Sequence, residues 1–252
     1  MSETTTYDTP IIRETVSVKT QHPPLPAATT GSRKAVSTLS PSRKLHSAQS
    51  QILKRGLDLI IASLGLLLVS PVLVLLALVI YFDSPGTVIF RQERSGKGGI
   101  PFKMWKFRTM VPNSKEVLEK HLAEHPAAKT EWKRTYKLKD DPRITRAGKV
   151  LRKTSLDELP QLLNVLGGQM SLVGPRPLPM YHHRALTLQT QQLREAVLPG
   201  LTGLWQITYR SEGELEELET CDALYVCNWS VGLDLSILLK TIPAVLKRKG
   251  AY

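Results

Sequence analysis

The sequence predicts a mostly helical α+β fold held on one face of a membrane, a monotopic arrangement. Three observations carry that expectation. Residues Leu59 to Phe82 form an uncharged apolar run longer than the ~20 residues a helix needs to cross a bilayer. Between Val88 and Met110, two strand-like runs flank a glycine-rich connection and read as one short β-hairpin. Beyond the hairpin the chain is largely charged or amphipathic and helical in pattern, ending in a stretch that fits an interface helix. The net charge of +12 and pI near 9.8 suit an anionic membrane face, phosphorylated substrates or nucleic acid. Nucleic acid is disfavoured, because no helix-turn-helix, zinc or RNP-type motif accompanies the charge. Cys221 and Cys227 form no Cys-x-x-Cys pair, which argues against zinc and for a reducing compartment.

Residues 1–49 are rich in Ser, Thr, Pro and Lys/Arg and read as a disordered basic tail. No apolar core of an export signal opens them. The membrane element is placed at 50–83 and a cytoplasmic catalytic domain at 84–252. Ser70-Pro71 sits in the middle of the apolar run. Pro71 removes a helical hydrogen bond and kinks the helix, and Ser70 is placed to satisfy the freed carbonyl. Two geometries are open: a kinked single span, or a re-entrant helix that returns to the face it entered. Lys54 and Arg55 precede the run, while Arg91, Arg94, Lys97, Lys103 and Lys106 lie beyond it. A full span would put one cluster on the wrong side of the positive-inside rule, so the flanks favour re-entry.

After the hairpin, where Arg108 is the basic residue nominated as functional, residues 113–139 read as a solvated helical insert broken near Pro126. A turn comes next at Asp140–Arg146, with Arg143 and Arg146 available to anions. Asp157 and Glu158 then stand at the start of an apolar helical run. Ser155 with Glu158 fits a capping box, but that register puts Pro160 where a ladder bond is needed. Asp157 as N-cap leaves the proline in the first turn. In either register both carboxylates meet the positive end of the helix dipole, which favours ionisation. A capping role and a role as oxygen nucleophile or hard-metal ligand both fit these residues.

Met170 to Val173 reads as a buried strand, and Gly174-Pro175-Arg176-Pro177 as a stiff loop presenting an arginine suited to phosphate. Pro199 to Gln206 reads as a turn entering a short apolar strand, Glu212 to Glu219 as a solvated acidic helix, and Leu233 to Lys249 as amphipathic. No His-based triad, Walker A loop or G-x-G-x-x-G is present. A carboxylate nucleophile, a divalent cation and arginines suffice for displacement at phosphorus.

Several segments together resemble one family. They are Lys54-Arg55 with Asp58, the run centred on Ser70-Pro71, Phe90 to Arg94, Lys106 to Met110, Asp141 to Thr145, Ser155 to Gln161, Met170 to Pro177, Pro199 to Gly203 and Trp229 to Asp234. In order over residues 50–252, they look like the bacterial sugar transferases, the monotopic polyprenyl-phosphate phosphoglycosyl transferases. The resemblance implies a helix-break-helix membrane element at Ser70-Pro71 and a cytoplasmic-face active site at the bacterial inner membrane. It implies transfer of a hexose-1-phosphate from a UDP-sugar to undecaprenyl phosphate with release of UMP, the first membrane step in making exopolysaccharide, capsule or O-antigen. Asp157 would be the nucleophile, forming a covalent aspartyl-phosphosugar, and Glu158 would assist it. Both would bind Mg2+, with Mn2+ the alternative ion. Arg152, Arg176, Arg108, Arg143 and Gln161 would contact substrate. The insert from His121 to Asp141 and the Lys249-Gly250-Ala251-Tyr252 ending look most like members that use UDP-galactose or UDP-glucose. Downstream glycosyltransferases and a second copy of the chain are the other partners considered. The competing reading is a non-catalytic membrane-anchored scaffold or regulator, in which the dyad only caps a helix.

Overall fold

A computed structural model of the chain describes residues 40–135, 138–209 and 215–246. Most of the expected tail and the Lys249–Tyr252 ending lie outside the described residues. The described part of the tail is not loose: α1 (Arg43–His46) docks through the Ser42 N–H on the Val226 carbonyl, 3.1 Å away.

The apolar run lies in α2 (Ala48–Asp83), among the described residues the one helix long and apolar enough to cross a membrane. The helix continues through Pro71, so the element expected as helix-break-helix is unbroken. Pro71 has no N–H to offer the Leu67 carbonyl, and Ser70 Oγ donates to it instead at 2.9 Å. Leu64, Leu67, Leu68, Val74 and Leu75 stand exposed, while Ala62, Leu66, Val69 and Ile80 pack inward.

Both ends of α2 are fastened to the same folded body. Near its start, Lys54 Nζ donates to the Val173 carbonyl (3.1 Å) and to Asp234 (2.6 Å). Arg55 donates to the Val165 and Leu166 carbonyls, and Asp58 accepts the buried Leu172 N–H at 3.0 Å. At the far end, Asp83 accepts the Ala147 N–H, and Arg108 donates to the Ser84 and Pro85 carbonyls.

The hairpin forms as expected, with β1 (Ile89–Ser95) antiparallel to β2 (Pro101–Phe107), Ile89 opposite Phe107. The insert becomes α3 (Ser114–Glu124) and α4 (Pro126–Thr135), parted at His125, where Pro126 fits the first turn of a new helix. Then come α5 (Arg146–Thr154), capped by Thr145 Oγ1 on the Gly148 N–H, and α6 (Gln161–Leu166). The Met170–Val173 expectation holds as β3 (Ser171–Val173), wholly buried. It pairs in parallel with β4 (Gly200–Thr202) across α7 (Met180–Ala185) and α8 (Leu188–Glu195). The short strand expected within Pro199–Gln206 forms as β4 and ends at Thr202, and the rest of that segment opens α9 (Leu204–Thr208). The described residues end with α10 (Leu215–Cys227) and α11 (Val231–Leu246). The main core gathers Phe102, Met104, Leu162, Val165, Met170, Leu172, Tyr225, Trp229 and Ile237, with Ala62 of α2 among them.

Candidate active site

Neither expected helix register is found at the dyad. Helix α5 ends at Ser155, whose left-handed φ of 58° closes it through N–H bonds to the Leu151 and Arg152 carbonyls. Leu156–Glu158 then form one 3-10 turn, and α6 starts after Pro160. Asp157 and Glu158 therefore cap no helix in the ways the sequence suggested, and α6 is too short for its dipole to be the main influence. Their ionisation is set by neighbours and by burial.

Lys106 lies on β2, which is held against α6 by Asn164. The Asn164 side chain accepts the Trp105 N–H and donates to the Lys103 carbonyl, each at 2.9 Å. That register puts Lys106 Nζ 2.6 Å from Glu158 Oε1. Arg176 Nη2 reaches the same oxygen at 3.3 Å. Burial alone would raise the Glu158 pKa, but Lys106 and then Arg176 hold it down to about 2. Asp157 differs. It is 9% exposed and, among the described residues, no ion pair reaches it. Burial pushes its pKa up and Glu158 adds to that, while Lys106 and Arg152 oppose. One carboxylate is thus neutralised in place, and the other is desolvated and uncommitted.

The Arg176 loop is fixed by its backbone. The Gly174 N–H donates to the Thr202 carbonyl and the Gly200 N–H to the Pro175 carbonyl, each at 2.9 Å. Arg194 donates to the Arg176 carbonyl and pairs with buried Asp222. Arg152 is half-buried near Asp157, and its Nε donates to Thr109 Oγ1 at 2.9 Å. Gln161 opens α6 beside the dyad, buried, with Nε2 unpartnered.

Two nominated arginines have other work. Arg108 is buried, with its Nη groups on the Ser84 and Pro85 carbonyls, so it ties down the end of α2. Arg143 grips Asp141 through Nε (2.8 Å) and Nη2 (2.6 Å) and stacks its guanidinium on Trp132. Their side chains do not join the dyad cluster because nearer acceptors claim them. Lys106 is the site residue that sequence reasoning misses, since it is one of several basic strand residues. The available signal is its position in an alternating strand, but choosing it needs the Asn164 contact.

Asp157 and Glu158 offer hard oxygen donors, and Glu158 has one oxygen outside its ion pairs. Among the described residues no cluster of three or more ligands occurs. Mg2+ commonly takes one or two carboxylates and completes its shell with water and substrate phosphates, so the donor set fits that ion. The ion pairs of Glu158 carry an expected pH signature. Its folded pKa lies below the unfolded value, so their stabilisation is present above pH ~4.5 and lost as pH falls through about 2. A shift of this size is worth up to about 3 kcal/mol. Melting temperatures measured from pH 5 to 2 should fall less steeply in Glu158→Gln than in the unsubstituted chain.

Comparison with known proteins gives a consistent result. A UDP-galactose-lipid carrier transferase of Erwinia amylovora is 48% identical over 225 residues, covering 86% of this chain and 45% of that protein. A UDP-glucose:undecaprenyl-phosphate glucose-1-phosphate transferase of Escherichia coli is 42% identical over 215 residues, 82% of this chain and 43% of that protein. The exopolysaccharide production protein ExoY of Sinorhizobium fredii is 45% identical over 201 residues, 80% of this chain and 88% of that protein. The chain thus spans less than half of the first two relatives and most of the third. The family model for bacterial sugar transferases matches residues 49–248, from the start of the apolar helix to the last helix, and the chain belongs to that family.

Proposed function

We propose that the protein transfers a hexose-1-phosphate from a UDP-sugar to undecaprenyl phosphate and releases UMP, with UDP-galactose or UDP-glucose as donor. The observation that carries this is Asp157, buried and free of ion pairs among the described residues, with Lys106, Arg152 and Arg176 around the dyad. The names of the relatives support the substrate classes.

In the first step an Asp157 oxygen attacks the sugar-bearing phosphorus. The bond from that phosphorus to the UMP oxygen breaks, and UMP leaves with the electron pair. A phosphate oxygen of undecaprenyl phosphate then attacks the same phosphorus, and the bond to Asp157 breaks to restore the carboxylate. Burial strips Asp157 of solvent that would blunt its attack. Glu158, with a pKa near 2, is too weak a base to take protons near neutrality. Its part is to fix Lys106 and Arg176 in place. Asp157 and Glu158 would hold Mg2+, which supplies neutralisation of the non-bridging phosphate oxygens.

The test is UMP release by the detergent- or nanodisc-held chain with Mg2+, undecaprenyl phosphate and a panel of UDP-sugars. Release with UDP-galactose or UDP-glucose is expected. Silence across the panel, together with a melting temperature lowered by Asp157→Asn, would favour the scaffold reading.

The same reading puts the site on the cytoplasmic face of the inner membrane, with α2 bent at Pro71, its helical pattern kept, so that it returns to the face it entered. Support comes from the attachments at both of its ends, Lys54 to Asp234 and Asp83 to Ala147, which belong to one body. Cysteines placed at Gln49 and Glu119 are expected to label from the cytoplasmic side only. Labelling of the Gln49 position from outside would establish a full span.

A further inference from the structure

We propose that Arg94 and Tyr181 form the subsite for the nucleoside monophosphate half of the donor, the half that leaves. This rests on the UDP-sugar reading above and assigns the direction in which the donor lies. Arg94 is near the end of β1, where the Ser95 N–H donates to the Leu178 carbonyl at 2.9 Å and α7 packs on the strand. That contact brings Arg94 beside the Arg176 loop. Its guanidinium is half-buried, and the one acceptor it meets among the described residues is the neutral Gln92 side chain. Its Nε is buried without a partner. Burial and the neighbouring Arg176 pull its pKa down to about 10.

Two guanidiniums placed together without a carboxylate for each is unfavourable unless an anion bridges them. Glu158 lies near enough to act on Arg94, but its one ion-paired oxygen is taken by Lys106 and Arg176, and Arg94 makes no ion pair with it. Arg94, Lys106, Arg152 and Arg176 surround Asp157 and Glu158, and Arg152 also meets Asp141, whose charge Arg143 takes up. The cationic excess of these side chains suits the anionic pyrophosphate of a nucleotide-sugar, and arginine forks suit phosphate oxygens.

The direction follows from which cations face which group. Lys106 and Arg152 act on Asp157, whereas Arg94 acts on Glu158 and not on Asp157, and lies by Arg176, Tyr181 and His182. The phosphorus under attack therefore lies toward Lys106 and Arg152, and the departing phosphate toward Arg94. Tyr181, 69% exposed, sets its ring edge-on to His182 at 4.4 Å between centroids. An exposed aromatic face beside the Arg94 guanidinium suits the stacking of a nucleobase.

The experiment measures UMP binding by calorimetry to the detergent-held full chain, alongside steady-state KM values for both substrates. Arg94→Gln is expected to weaken UMP about tenfold or more, and Tyr181→Ala about fivefold. The KM for the UDP-sugar should rise with them while that for undecaprenyl phosphate stays constant. Arg94→Lys should recover part of the affinity, since it restores the charge without the fork. Should Arg94→Gln fail to fold, exposed Tyr181→Ala carries the test. Unchanged UMP affinity in variants of an active enzyme would overturn the subsite alone, as would a rise in the KM for undecaprenyl phosphate instead. A wild-type chain that neither binds nor releases UMP would overturn the subsite and the proposed reaction together.

Discussion

Asp157→Asn is expected to reduce UMP release by about three orders of magnitude or more, the scale of losing a nucleophile. The amide keeps the shape of the side chain but cannot form the acyl phosphate. Stability should move the other way. The folded pKa of Asp157 is raised above its ordinary value, so the protonated form is favoured on folding. Keeping the carboxylate buried then costs stability, lost as pH rises from the ordinary value of 3.8 through the raised folded one. An asparagine removes the cost, so the variant should melt at the same temperature or higher near neutrality, with no such advantage at pH 3. A purely structural cap would do the reverse, losing stability while leaving no activity to lose. Activity assays and melts on one preparation therefore separate the two roles.

Gly200→Ala is expected to unfold the Arg176 loop. A Cβ at this position would lie 2.1 Å from the Gly174 nitrogen and 2.4 Å from the Thr202 oxygen. Both obstacles are backbone, so no rotamer change relieves them. Overpacking of this kind costs at least about 3 kcal/mol, enough to threaten folding of a marginally stable domain. Where folding survives, the Gly200 bond to the Pro175 carbonyl is stretched and Arg176 is displaced, so turnover should fall as well. Gly56→Ala is the control, since nothing lies within 4 Å of its added carbon and alanine favours the helix by ~0.5–1 kcal/mol. Thermal melts compare the two directly.

The contrast between these glycines shows which features the sequence carried and which it hid. The apolar run, the hairpin and the break before Pro126 follow from hydropathy, alternation and proline chemistry within short windows. So do the dyad and the stiff arginine loop as candidates. The pairing of β3 with β4 joins segments separated by two helices, and no local pattern announces it. Leu204–Gln206 has a strand-like composition but turns helical once Thr202 has ended the pairing. Lys106 is one among similar lysines until Asn164 fixes the strand that carries it. Arg108 looks equally available, yet the end of α2 supplies carbonyls closer to hand. At Ser155 the register is what differs: a serine can close one helix in the left-handed region as well as open the next.

The attachment of α2 at both ends makes it a poor candidate for removal. It supplies Ala62 to the main core, and Ile80 to a second core with Phe107 and Leu151. Asp58 is the acceptor for a buried backbone N–H of β3, and Arg55 terminates α6 just past the dyad. A chain beginning after Ser84 would expose both cores and leave those polar groups unmatched, at about 1–3 kcal/mol for each. The anchor and the chemistry are one folding unit. Solubilisation therefore has to come from replacing the lipid around Leu67, Leu68 and Leu75 rather than from cutting the polypeptide.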